Sequence, residues 1–148
     1  MDKIDPALEQ RVWKRVRGES APAPEGLQAL VAAAQSEAAV YLMLSRQLQG
    51  REKALLRRLF EEEQTNAAML RGIHRLITGQ TLAVRTPSPE PEIPESALRK
   101  CYGRTLRAAE SYESRVSDRE YGCLFSAMAQ REYQHLSVIA EILGILGR

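Results

Sequence analysis

Aromatic residues are scarce in this chain: tryptophan, tyrosine and phenylalanine together make up 5% of it. A core built from such a sequence must be mostly aliphatic, filled by leucine, isoleucine, valine and alanine. Cysteine is scarcer still, since Cys101 and Cys123 are the only two and form no CxxC pair. No run approaches 18 consecutive apolar residues, so no membrane span is expected. The opening Met-Asp-Lys-Ile-Asp-Pro has no apolar signal core behind it, and a cytoplasmic location is the default expectation. Charge of one sign is also missing: 21 basic residues against 19 acidic ones leave a formal +2. A nucleic-acid partner would need a clustered basic stripe. The one crowded segment, Arg11, Lys14, Arg15 and Arg17, reads as a solvated face. Long alternating β-branched runs are absent, which removes the usual strand signal.

What remains is a single domain's worth of strong helix formers. At 148 residues the chain can bury a core without metals or disulfides to hold it up, and Ala, Leu, Arg, Glu and Gln dominate it. Asp5-Pro6 looks like an N-cap followed by proline in a first helical turn, and Leu8, Val12 and Val16 follow at fourfold spacing with Trp13 beside them. Residues 1–26 are therefore expected to hold a short amphipathic helix, ending near Gly18, and a linker. Residues 27–148 are expected to form the main body.

That body divides into four helices. The first runs from about Leu27 to Gln49, with Leu27, Leu30, Val31, Ala34, Ala38, Tyr41 and Leu48 as its apolar stripe. Gly50 marks a tight turn. The second runs from about Glu52 to Thr78, with Gly79 placed for a left-handed C-cap. Residues 80–95 hold four prolines, which no helix survives, and extended geometry could carry this segment the length of a bundle. The third helix spans about Ser96 to Val116, with Leu98, Cys101, Tyr102, Thr105, Ala109, Tyr112 and Val116 inward. Ser117-Asp118-Arg119-Glu120 matches a capping box, and a fourth helix then runs to about Leu146, with Leu124, Phe125, Met128, Ala129, Leu136, Ile139 and Leu143 inward. The fold class is all-α: an antiparallel four-helix bundle with a long Pro-rich crossover between helices 2 and 3. In such a hairpin Cys101 and Cys123 lie roughly 16 Å apart along the axis, beyond the reach of a disulfide, so two free thiols are expected.

Polar residues inside an apolar stripe are the informative ones, because burying them costs free energy unless they are paired. Glu63 and Asn66 interrupt the stripe of helix 2, Glu132 and His135 that of helix 4, and Glu37 adjoins the inward side of helix 1. Glu37 and Glu63 lie equally far from the Gly50 turn. Glu63 and Glu132 sit at matching depths in their helices, as in a repeated helical hairpin with one polar cluster per copy. Glu132-Tyr133-Gln134-His135 is E-x-x-H on a helix, which puts a carboxylate and an imidazole on one face within reach of one metal ion. The competing reading is a core histidine satisfied by hydrogen bonds.

Together, Glu37-Ala-Ala-Val-Tyr41, Leu59 to Leu70 and Met128 to His135 resemble the rubrerythrin branch of the ferritin-like proteins over residues 27–148. That resemblance implies a two-iron or two-manganese centre that reduces peroxide, held by a Glu from helices 1 and 3 and an E-x-x-H from helices 2 and 4. Carried over by position, Glu132 and His135 fit helix 4 and Glu63 fits helix 2, where Asn66 replaces the histidine. Glu37 fits helix 1 by depth, although the family's usual spacing before the tyrosine falls on Ala34. On helix 3 the same spacing falls on Thr105, with Glu110 and Glu113 nearer the turn.

The ligand set Glu37, Glu63, Glu132 and His135 therefore suits one divalent ion, iron or manganese, or none, better than two. The favoured expectation is a degenerate, at most mononuclear site, whose affinity should weaken below pH of about 6.5 as the histidine protonates. The alternatives are a working two-metal peroxidase or oxidase, and a metal-free helical scaffold whose buried carboxylates share protons. Besides a metal ion, a second copy of the chain is a compatible partner, while nucleic acid and membrane are not expected.

Overall fold

The computed structural model describes residues 26–148; the front helix expected between Asp5 and Gly18 lies outside them. Four helices follow, α1 (Leu27–Gln47), α2 (Gly50–Thr78), α3 (Pro94–Glu113) and α4 (Gly122–Leu146), and no strand occurs among the described residues.

The helix ends differ from the sequence reading for local reasons. Gly50 has φ of +64° and is the first residue of α2. A residue that enters the left-handed region freely thus opens the second helix directly, and α1 stops at Gln47, ahead of the extended Leu48 and Gln49. Gly79 takes the left-handed C-cap position at φ +74°, and its N–H donates to the Arg75 carbonyl at 2.8 Å. Pro94 starts α3, because its missing N–H has no helical acceptor to lose there. At the last turn Asp118, not Ser117, supplies the side-chain acceptor. Its Oδ1 takes the backbone N–H groups of Glu120 and Tyr121 at 3.0 and 2.8 Å, and α4 opens at Gly122.

The buried faces follow the sequence stripes with shifts of phase. Tyr102, Val116 and Leu124, expected inward, are exposed, while Leu44, Val138 and Ile142 are buried. A 3.6-residue period leaves adjacent positions nearly equivalent over a long helix, and the partner helix decides between them. Cys101 is buried, Cys123 is exposed, and both are free thiols.

Two apolar clusters build the core. One gathers Leu27, Val31 and Ala34 of α1, Ala67 to Ile77 of α2, Tyr112 of α3 and Phe125, Met128 and Ala129 of α4. The other gathers Tyr41 and Leu44, Leu56 and Leu59, Ala97 to Cys101, and Val138 to Ile142 of the same four helices. Between the two stretches on each helix falls a buried polar residue: Glu37 on α1, Glu63 and Asn66 on α2, Thr105 on α3, Glu132 and His135 on α4. The polar layer is thus sealed above and below by aliphatic packing. Residues 79–93 form no helix or strand, yet Leu82 and Val84 pack on the first cluster. By length and composition α1 is the one described helix apolar enough to cross a membrane; here its buried face, which includes Glu37 and Ser45, packs into both clusters.

Candidate metal centre

Helical spacing aims the E-x-x-H pair of α4 at α2. His135 is completely buried. Its Nδ1 lies 3.3 Å from Glu63 Oε1 and 3.3 Å from Glu132 Oε2, while Nε2 lies 3.3 Å from Glu62 Oε1. Consecutive glutamates on α2 therefore flank the ring at its two nitrogens. The Tyr41 ring meets the imidazole edge-on at a centroid distance of 6.5 Å, and the Tyr41 and Thr105 hydroxyls are 3.2 Å apart.

Asn66 stands where the resembled family has a second histidine, and its role is structural. Its Nδ2 donates to Glu132 Oε1 at 3.1 Å, and its Oδ1 accepts from Arg131. One carboxylate oxygen of Glu132 is thereby fixed and the other is left facing Glu63 and His135. Three buried atoms, Glu63 Oε1, Glu132 Oε2 and His135 Nδ1, make no well-formed hydrogen bond and meet only one another, at 3.3 Å. Each of these three residues offers a ligand atom within 4.8 Å of the others. Buried polar atoms are nearly always satisfied, so three unsatisfied ligand atoms gathered within 4.8 Å of one another form a group of the kind that can hold a metal ion.

The protonation state reflects the same crowding. Burial pushes the Glu63 carboxyl well up, and the neighbouring Glu132 adds to it. Burial also opposes ionisation of Glu132, but contacts with Glu63, His135 and Asn66 outweigh it and hold that carboxyl below its ordinary value. For His135 burial pulls the pKa down, and the Glu132 and Glu63 carboxylates override it, raising the imidazole to about 10. Without an ion these contacts favour the protonated form of Glu63 and of His135 and the ionised form of Glu132.

Glu37 is not brought into this trio. Its carboxylate takes two hydrogen bonds from Arg104, at 2.7 Å from Nε and 3.2 Å from Nη2. It does line the same cavity of about 650 Å³ as Glu63 and Glu132. Glu113 accepts from the Tyr133 hydroxyl at the surface, and Glu110 is exposed. The other histidine, His74, spends Nδ1 on the Gln80 carbonyl at 3.2 Å, beyond the end of α2. Cys101, in reach of Arg104 at 3.3 Å, has its thiol pushed far up by burial and by Glu37, so it stays protonated.

The residues present do not fit a pair of ions. The second ion's carboxylates would have to come from α1 and α3, but Glu37 is neutralised by a guanidinium and Thr105 offers only a hydroxyl already near Tyr41. They do fit one ion, with two carboxylate oxygens and one imidazole nitrogen converging. Sequence reasoning missed Glu62, Arg104 and Arg131, which lie on helix faces that read as solvent. No family model, no curated protein and no solved structure matches this chain.

Proposed function

We propose that this protein is a ferritin-like, antiparallel four-helix bundle that holds a single divalent metal ion between Glu63, Glu132 and His135. The convergence of three unsatisfied buried ligand atoms carries the reading. The order of the core clusters supports the bundle topology: α1 and α4 run from the first cluster to the second, α2 and α3 from the second to the first. That order also supports residues 79–93 as the long crossover. A set of one imidazole and two carboxylates suits manganese, iron or zinc. When bound, the ion supplies a Lewis-acidic centre with positions left for solvent or a small ligand. Asn66 fixes the free oxygen of Glu132 toward it, and Glu62 fixes the ring of His135 from its far nitrogen.

A metal-free core is the second reading, favoured by the 3.3 Å contacts of His135 Nδ1 with both carboxylates. Reconstitution with Mn²⁺, Fe²⁺ or Zn²⁺ under anaerobic conditions, desalting, and elemental analysis decide between them. One ion per chain is expected, lost in His135→Ala. No retained ion in the wild type would establish the metal-free core.

A further inference from the structure

The cavity of about 650 Å³ beside the polar layer has the size of a small-molecule site, typically about 300–1,000 Å³. It exists because the residues facing each other across it are small: Ala33, Ala34 and Ser36 on α1, Thr105 and Ala108 on α3. The cleft opens to solvent at one end, so water fills it until a small organic molecule of matching size and polarity takes its place. Its walls are mainly apolar, with Leu30, Val40, Met43 and Tyr112 contributing the larger surfaces. One end is buried, at Glu63 and Glu132; the other opens where Arg107 and Glu90 are exposed.

The charged side chains along the wall are spent within the protein. Arg104 clamps Glu37. Lys100 holds Glu92 at 2.6 Å, with the Ser96 hydroxyl adding a second bond at 2.9 Å. Arg107 and Glu90 add one charge of each sign at the mouth. An anionic ligand would be desolvated along this wall and meet the Glu132 carboxylate at its buried end with no free cation reserved for it, whereas an uncharged one gains by leaving water.

We propose that this cavity binds one uncharged, largely apolar organic molecule, a medium-chain alcohol or a one- to two-ring aromatic, with any polar group seated at the Glu63–Glu132 end. The proposal shares two residues with the metal reading but does not need the ion, so the test uses full-length protein stripped with EDTA. N-phenyl-1-naphthylamine, uncharged and fluorescent in apolar surroundings, is the probe. Saturable binding near one probe per chain is expected, with displacement by 1-octanol at least tenfold more effective than by octanoate. Ala108→Phe fills the cavity and should weaken probe binding tenfold or more while the thermal midpoint holds or rises. Ala33→Phe, at an exposed position on the opposite wall, should do the same should the first variant fail to fold. Non-saturable probe binding, displacement by octanoate as strong as by octanol, or full binding in a folded Phe variant would overturn the proposal. Failure of the ion to bind would leave it standing.

Discussion

His135 is held at 3.3 Å by carboxylates of Glu62, Glu63 and Glu132, and this enclosure sets the pH behaviour. An imidazole whose folded pKa is raised to about 10 stabilises the metal-free fold fully below its unfolded value of about 6.5. It loses that contribution as pH rises through the folded value. Glu63, also raised, acts in the same direction. The metal-stripped protein should therefore melt lower by roughly 5 °C or more at pH 9.5 than at pH 6, and His135→Gln should flatten that slope; a wild-type midpoint as flat as the variant's would refute the assignment. Metal affinity should climb over the same window, because the ion must displace these protons. The threshold near 6.5 expected from an ordinary histidine thus moves upward. Glu63, Glu132 and His135 are legible in the sequence because each breaks an apolar stripe. Glu62, Arg104 and Arg131 are not, because each occupies a solvent-phase position and reaches inward along a flexible stem, a trajectory that periodicity does not encode.

At the scale of the elements, the Arg104–Glu37 pair ties α3 to α1 beside the cavity. Arg104→Met should cost about 1–2 kcal/mol by urea denaturation, since it strands a nearly buried carboxylate. Glu37→Gln in the same chain should return part of that, and additive losses would show that the two side chains do not act on each other. A second element-level test lies at the start of α4. A Cβ on Gly122 would sit 2.3 Å from the Val116 carbonyl oxygen, a backbone atom that cannot step aside. Gly122→Ala should destabilise by about 1–3 kcal/mol, and an unchanged midpoint would mean the α3–α4 turn is free to rearrange. The four helices themselves are plain in the sequence through their stripes and through Gly50 and Gly79, whereas Pro94, read as part of the Pro-rich loop, is the first residue of α3. Their ends are less so, because Asp118 rather than the better-matching Ser117 supplies the side-chain acceptor before α4.

For the whole molecule the central relation is between two aliphatic clusters and the polar layer they enclose. All four helices contribute a polar residue to that layer, but only α2 and α4 direct theirs onto a common point; α1 and α3 meet there through a guanidinium and a hydroxyl pair. A bound ion would cross-link α2 to α4 in the middle of the core and add stability by mass action. A two-ion centre would require the layer's other half to give up the Arg104 clamp. Metal stoichiometry therefore tests the account most directly. After anaerobic reconstitution with excess Mn²⁺ or Fe²⁺ and removal of free ion, elemental analysis should find one ion per chain in the wild type and none in His135→Ala; two tightly held ions per wild-type chain, or none, would contradict it.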